Sequence, residues 1–204
     1  PPPADARPGT VSDRMLSLLD VTATTLEMAG IAKPAGMQSQ IFLGPNAESA
    51  RTVVVSARDR IDESVQRIRT VRDSRYRYIR NFLPEQGFTS LNRYKEKCFL
   101  IMPLMRELKA RGELHGPPLA LLQDRLPPEE LYDLETDPYE IRNLATSNDP
   151  VHQAALGRLR DELERWMKET GDRGSLPEPQ EIVAPFEKEM HDWFGTPEWY
   201  RAGR

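Results

Sequence analysis

The segment from Arg58 to Arg80 concentrates the chemistry-bearing side chains of this 204-residue chain. Eight arginines stand there against Asp59, Asp62, Glu63 and Asp73, a local surplus of positive charge in a chain whose formal net charge is −4. Arginine fills every cationic position, and its planar fork matches the oxygens of sulfate, phosphate or carboxylate two at a time. Tyr76 and Tyr78 alternate with Arg75 and Arg77, which allows cation–π stacking and equally describes a strand with one wetted face. Two readings therefore stay open for Arg58–Arg80: an ion-paired sheet face and an anion-binding surface. The sharpest part is ARDRIDES, residues 57–64, which places two arginines and three carboxylates directly after a β-branched run. Charged groups at a strand end are placed where sites form, while the plain alternative is a self-neutralising loop.

Other candidates fall short on spacing. Cys98 sits in EKCFLIM with no histidine near it in sequence, a context that predicts a buried structural thiol. Asp133, Glu135 and Asp137 have the alternate spacing of a calcium loop, but Pro138 stands where such a loop needs glycine and Leu144 where it needs a bidentate Glu. The expectation there is a solvated turn. His115, His152 and His191 are widely spaced and Cys98 is the single cysteine, which leaves no disulfide and no Cys- or His-based metal cage. Neither a G-x-S-x-G elbow nor a Gly-rich phosphate loop occurs.

The elements that must position these residues follow from periodicity. Ser12 or Asp13 can cap a helix over about 13–29, in which Met15, Leu18, Leu19, Thr22, Leu26 and Ala29 recur at helical spacing and Gly30 ends the run. A Pro- and Gly-rich loop leads to a short β-branched strand, Thr52–Ser56, of the kind buried on both faces. QRIRTVR and RYRYIR flank Asp73-Ser74 and read as a hairpin. Residues 81–128 read mostly as loop, with a helix over Pro103–Ala110. A strand, Glu130–Leu134, precedes a turn around Asp137-Pro138. The clearest helix is Val151–Thr170, with Ala155, Leu159, Leu163 and Trp166 at intervals of three and four, opened by Asp149 or Pro150 and closed by Gly171. Residues 173–204 hold four prolines but also Phe186, Trp193, Phe194, Trp199 and Tyr200. Disordered tails are poor in aromatics, so this tail is expected to pack.

Composition bounds the whole. Apolar residues are 38% and charged residues 29%, enough for one modest core. The acidic balance excludes bulk-charge binding of nucleic acid, and no apolar run reaches the ~18–20 residues of a membrane span. The PPPADARPGT opening lacks a starting Met and a signal-peptide core, and reads as an interior cut. The order of elements predicts an α+β fold, a small antiparallel sheet packed with a C-terminal helix.

Several segments together resemble the C-terminal part of a type I sulfatase of the alkaline-phosphatase-like superfamily. They are GTVSDRMLSLLDVTATTLEMAGI, PAGMQ, FLG, RDRIDES with IRTVRDSRYRYIRNFLPE, and EELYDLETDPYEIRNLA with a helix ending WMKETGD, in that order through residues 9–172. The resemblance is greatest to bacterial sulfatases of the heparan N-sulfatase type. It implies hydrolysis of sulfate esters or sulfamates, on sulfated sugars. It also implies a division into residues 1–50 at the end of a large α/β domain, 51–172 as the smaller C-terminal subdomain, and 173–204 as a tail packed on the body or on the missing domain. The family's nucleophile is a formylglycine made from the first residue of C/S-x-P-S-R, and its other essential cofactor is Ca2+. Cys98 is followed by FLIM and is not that residue, so the resemblance places both cofactors and all catalytic groups outside this chain, which alone is expected to be inactive. Where the family's D-x-x-P-T-L-L and M-Q-G occur, Ala23, Thr25 and Ser39 depart from the pattern in structural segments. RDRIDE matches the segment by which the smaller domain approaches the substrate, which makes Arg60, Asp62 and Glu63 the expected substrate-binding residues. The expected partners are the missing N-terminal domain and a sulfated carbohydrate, with neither nucleic acid nor membrane. Members are commonly exported. The alternative from the residues alone is a non-catalytic module that holds sulfated glycans or other anions on Arg58–Arg80.

Overall fold

The computed structural model describes Gly9 and residues 11–202; most of the Pro-rich opening stretch lies outside the described residues. The chain divides into two compact units, one formed by residues up to Val54 together with Arg72–Arg75, the other by Val55–Val71 and the remainder from Tyr76.

In the first unit a helix, α1, runs over Leu19–Met28, shorter at its start than its periodicity suggests. Neither Ser12 nor Asp13 caps it. Instead the Asp20 carboxylate reaches back to accept from the Ser17 N–H at 2.8 Å, which satisfies a donor just ahead of the helix. Gly30 follows the C-cap with φ +70°, the left-handed geometry that favours glycine. The long loop after α1 has almost no regular structure, and the helix holds it through polar side chains. Asp20, Thr24 and Glu27, spaced four and three apart on one face, accept from the backbone N–H groups of Gln40, Phe42 and Asn46. Arg51 closes the loop onto Asp20 through Nε at 2.7 Å and Nη2 at 2.6 Å. Burial alone would raise the Asp20 carboxyl, but the Arg51 fork and the two backbone N–H donors bring it down to about 2. The polar face of α1 is therefore the one that is engaged, with Asp20, Ala23 and Thr24 buried.

In the second unit four strands, β1 (Val54–Ile61), β2 (Ser64–Arg72), β3 (Tyr76–Asn81) and β4 (Glu129–Asp133), lie in sequence order across one sheet. The β1–β2 and β2–β3 connections are too short for anything but antiparallel hairpins, and β4 pairs antiparallel to β3 with Tyr78 opposite Leu131. The strand expected at Thr52–Ser56 starts later and continues through ARDRI. As an edge strand it is half-exposed along its length rather than buried on both faces. The hairpin around Asp73-Ser74 is as its alternation predicts.

A long helix, α5 (Pro150–Thr170), packs on one face of the sheet. Asp149 caps it by accepting from the Val151 N–H at 2.8 Å, and Gly171 ends it at φ +65°. Its buried stripe, Ala155, Leu156, Leu159 and Leu163, completes a core with Val71, Tyr78 and Leu131. Each fully buried Leu contributes about 1.5–3 kcal/mol.

The 81–128 stretch holds more helix than its composition suggests: α2 (Arg93–Cys98), α3 (Ile101–Ala110) and the single turn α4 (Pro117–Ala120). Pro103 falls in the first turn of α3, where its missing N–H removes nothing. The Pro-rich tail likewise forms α6 (Gln180–Phe194) and α7 (Glu198–Ala202). It packs within its own unit. Phe194 sits edge-on to Tyr94 at 5.7 Å, and the Trp199 indole donates to Glu96 at 3.1 Å beneath the Arg106 guanidinium.

Candidate functional site

The β1–β2 turn is Asp62-Glu63, so the three residues singled out by RDRIDE share one hairpin tip. Asp62 takes φ +53°, a left-handed geometry that Asp tolerates better than most residues. Its Oδ2 accepts from Asn92 Nδ2 at 3.1 Å, and its backbone carbonyl accepts from Arg60 Nη1 at 2.9 Å. Arg60 also pairs with Glu178 at 2.7 Å and lies 4.0 Å over the Phe186 ring. Glu63 is 7% exposed. Its Oε1 accepts from both the backbone N–H and the Nη1 of Arg93, at 2.8 and 3.2 Å, while its Oε2 is buried without a donor. Asn92 caps α2 by accepting from the Lys95 N–H. The tip thus locks the start of α2 in place, with Asp62 half-exposed at its end.

Behind the tip, Arg69 is 2% exposed and binds two carboxylates at once. Nη1 and Nη2 donate to Asp59 at 2.8 and 3.2 Å, and Nε donates to Asp172 at 3.0 Å. The chain after α5 comes so close that a Cβ on Gly174 would lie 2.1 Å from Arg69 Nη2, so any larger residue must displace the guanidinium from its two carboxylates. Arg60, Arg67, Arg69, Asp172 and Glu178 line a cavity of about 560 Å3 between the sheet and this crossing. Further along β3, Arg77 pairs with Glu140 and Arg80 with Glu129. Glu129 also accepts from the Tyr78 hydroxyl at 2.5 Å and from both Nε and Nη2 of Arg160. The Arg160 bonds, with the tyrosine, overcome burial and hold its carboxyl at about 2. For Arg60, Arg69, Arg77 and Arg80 the structure shows the ion-paired sheet face, with partners supplied from sequence-distant segments.

Cys98 is exposed, which corrects the buried-thiol expectation. It ends α2, and the apolar run after it turns outward, with Phe99, Leu100 and Ile101 all exposed. Asp137 serves as a turn cap, its Oδ2 accepting from the Ile141 and Arg142 N–H groups. Among the described residues no group of three or more His, Cys, Asp or Glu could hold a metal ion. These residues do not fit a calcium site, and Cys98 does not fit the formylglycine sequence. No helix among them is long and apolar enough to cross a membrane. Asn92, Arg93, Asp172 and Glu178 escaped the sequence reading. The signal for Asn92 was present, an N-cap residue ahead of a short helical run, but those for Asp172 and Glu178 were not, since their partners lie over a hundred residues away.

No protein-family model matches the chain. An ulvan-active sulfatase of Formosa agariphila is 39% identical over 173 residues, a match covering 85% of this chain and 28% of that protein. The chain belongs to the sulfatase family. The human N-sulphoglucosamine sulphohydrolase is 28% identical over 180 residues, 80% of this chain and 34% of its own length. A solved structure of a 2-O GAG sulfatase aligns with a TM-score of 0.49 at 21% identity, over 80% of this chain and 27% of that one. This sulfatase chain thus spans about a third or less of the length of these relatives, and its α+β sheet-and-helix unit corresponds to their C-terminal part.

Proposed function

We propose that this chain is a C-terminal portion of a sulfatase that hydrolyses sulfate esters or sulfamates on sulfated sugars, and that the catalytic groups, the formylglycine and the calcium lie outside it. The observation that carries this reading is the inverted face of α1. Leu18 is 90% exposed, and Leu19, Val21 and Met28 are each at least half exposed, while the polar side of the same helix is buried. A helix that turns its apolar side outward calls for a covering surface, and the remainder of a sulfatase supplies one.

Within the whole enzyme we assign Arg60 and Asp62 to the substrate side of the pocket, with Glu63 as a positioning residue that acts through Arg93. The hairpin tip supports this assignment: it is held rigidly by α2 and Glu178 yet leaves Asp62 half-exposed at its end. Pre-organisation of that kind suits groups that must meet a sugar sulfate without rearranging. The test uses a longer sulfatase that contains this chain. Arg60→Ala and Glu63→Gln should each lower kcat/KM on its best sulfated sugar by about tenfold or more, a loss of about 1.4 kcal/mol or more in transition-state binding. Unchanged kcat/KM in both variants would remove the tip from the substrate site.

A further inference from the structure

The sheet face opposite α5 carries a second and larger cavity, of about 1020 Å3. All four strands contribute to its floor, through Arg58, Thr70, Ile79, Asn81 and Tyr132 among others, and Phe88, Leu121 and Tyr139 stand in its walls. The size is at the upper end of small-molecule sites, and most of the lining is apolar. Its charged groups are two arginines, Arg58 and Arg125, and two carboxylates, Glu130 and Glu140. Arg58 is half-buried, and its guanidinium lies over the Phe88 ring, 4.8 Å from the centroid. Among the described residues it has no carboxylate partner, unlike Arg60, Arg69, Arg77 and Arg80 on the same sheet. Burial pulls its guanidinium below the usual arginine range. The side chains of Thr70 and of the exposed Arg125, also in the lining, make no hydrogen bond among the described residues either.

Of the two carboxylates, one is ion-paired and the other is held by neutral donors. Glu140 pairs with Arg77 at 2.6 Å, and Glu130 accepts from Asn81 Nδ2 at 2.7 Å and from the Tyr132 hydroxyl. Asn81 itself is 4% exposed, and its Oδ1 is buried with no donor. A half-buried cation without a counter-charge favours an anion beside it.

We propose that this cavity binds a small organic anion, with a sulfate or carboxylate against Arg58 and Arg125 and a ring-sized body against Phe88 and Leu121. The site is distinct from the hairpin tip and does not depend on the catalytic reading of the whole enzyme. The experiment is a calorimetric titration of the 204-residue chain at low salt with 2-naphthyl sulfate, 2-naphthoate, neutral 2-naphthol and inorganic sulfate. At least one naphthyl anion should bind with a sub-millimolar Kd, well ahead of naphthol and of inorganic sulfate. Arg58→Gln should weaken that anion by about tenfold or more and leave naphthol unchanged. A preference between the two anions identifies the natural head group and supports the site in either case. Leu121→Trp, which fills the cavity and keeps both arginines, should abolish binding and serves as the second variant if Arg58→Gln does not fold. No anion binding, equal affinity for naphthol, or affinity unchanged in the foldable variant overturns the proposal.

Discussion

Glu129 ties three elements together through one carboxylate, taking hydrogen bonds from Tyr78 and Arg80 on β3 and from Arg160 on α5. Its folded pKa of about 2 lies below the usual 4.5, so the stability it contributes is complete above pH 4.5 and is lost as pH falls from there toward 2. Glu129→Gln should therefore lower the unfolding free energy measured by urea titration at pH 7 by on the order of 2–3 kcal/mol, and much less at pH 2.5. A stability difference that stays constant over that range would show that the carboxylate charge is not what holds β3, β4 and α5 together. Asp20 titrates in the same window but serves the first unit, so Asp20→Asn should release the 33–51 loop, read as faster amide exchange there, with the β-sheet unaffected. At this scale the sequence was partly legible. Residue type announced an arginine-rich strand pair, and RDRIDE led to one hairpin tip. Which arginines are neutralised was not readable, because Asp172, Glu178 and Glu140 arrive from remote turns. Arg58 stands out only once those pairings are known.

The elements were read best where one period dominates. α5 has a polar and an apolar side, a side-chain cap and a terminal glycine, and it folds as its pattern dictates. β1 was harder, since its edge position leaves a charged alternation, Arg58, Asp59, Arg60, that looks like loop until β2 is laid beside it. α6 was hidden by Pro185, which removes one donor in the helix interior and leaves the Glu181 carbonyl without its usual partner. Burial of Val183 and Met190 and the contact with α2 outweigh that loss. Two substitutions test the packing between elements. Leu159→Ala, at the centre of the α5 stripe, should cost about 2–5 kcal/mol. Gly174→Ala drives a methyl into the Arg69 guanidinium and should cost about 1–3 kcal/mol, with the loss suppressed when Arg69 is shortened in the same protein. An additive double mutant would mean that the crossing is not held by that contact.

For the whole molecule, the antiparallel sheet with its C-terminal helix was legible from element order. The identity of the family rested on ordered motifs rather than on any catalytic residue. The apolar outer face of α1 was not legible, because the heptad-like pattern of Leu18, Leu19 and Leu26 says that a helix has an apolar side without saying what lies against it. That face and the relation to sulfatases motivate the central proposal at this scale, that these 204 residues contribute to a sulfatase site without performing the chemistry. Turnover of 4-nitrophenyl sulfate by the isolated 204-residue chain, with and without added calcium, tests it most directly. The account predicts no release of nitrophenol above buffer in either condition, and calcium-dependent release that survives repurification would contradict it.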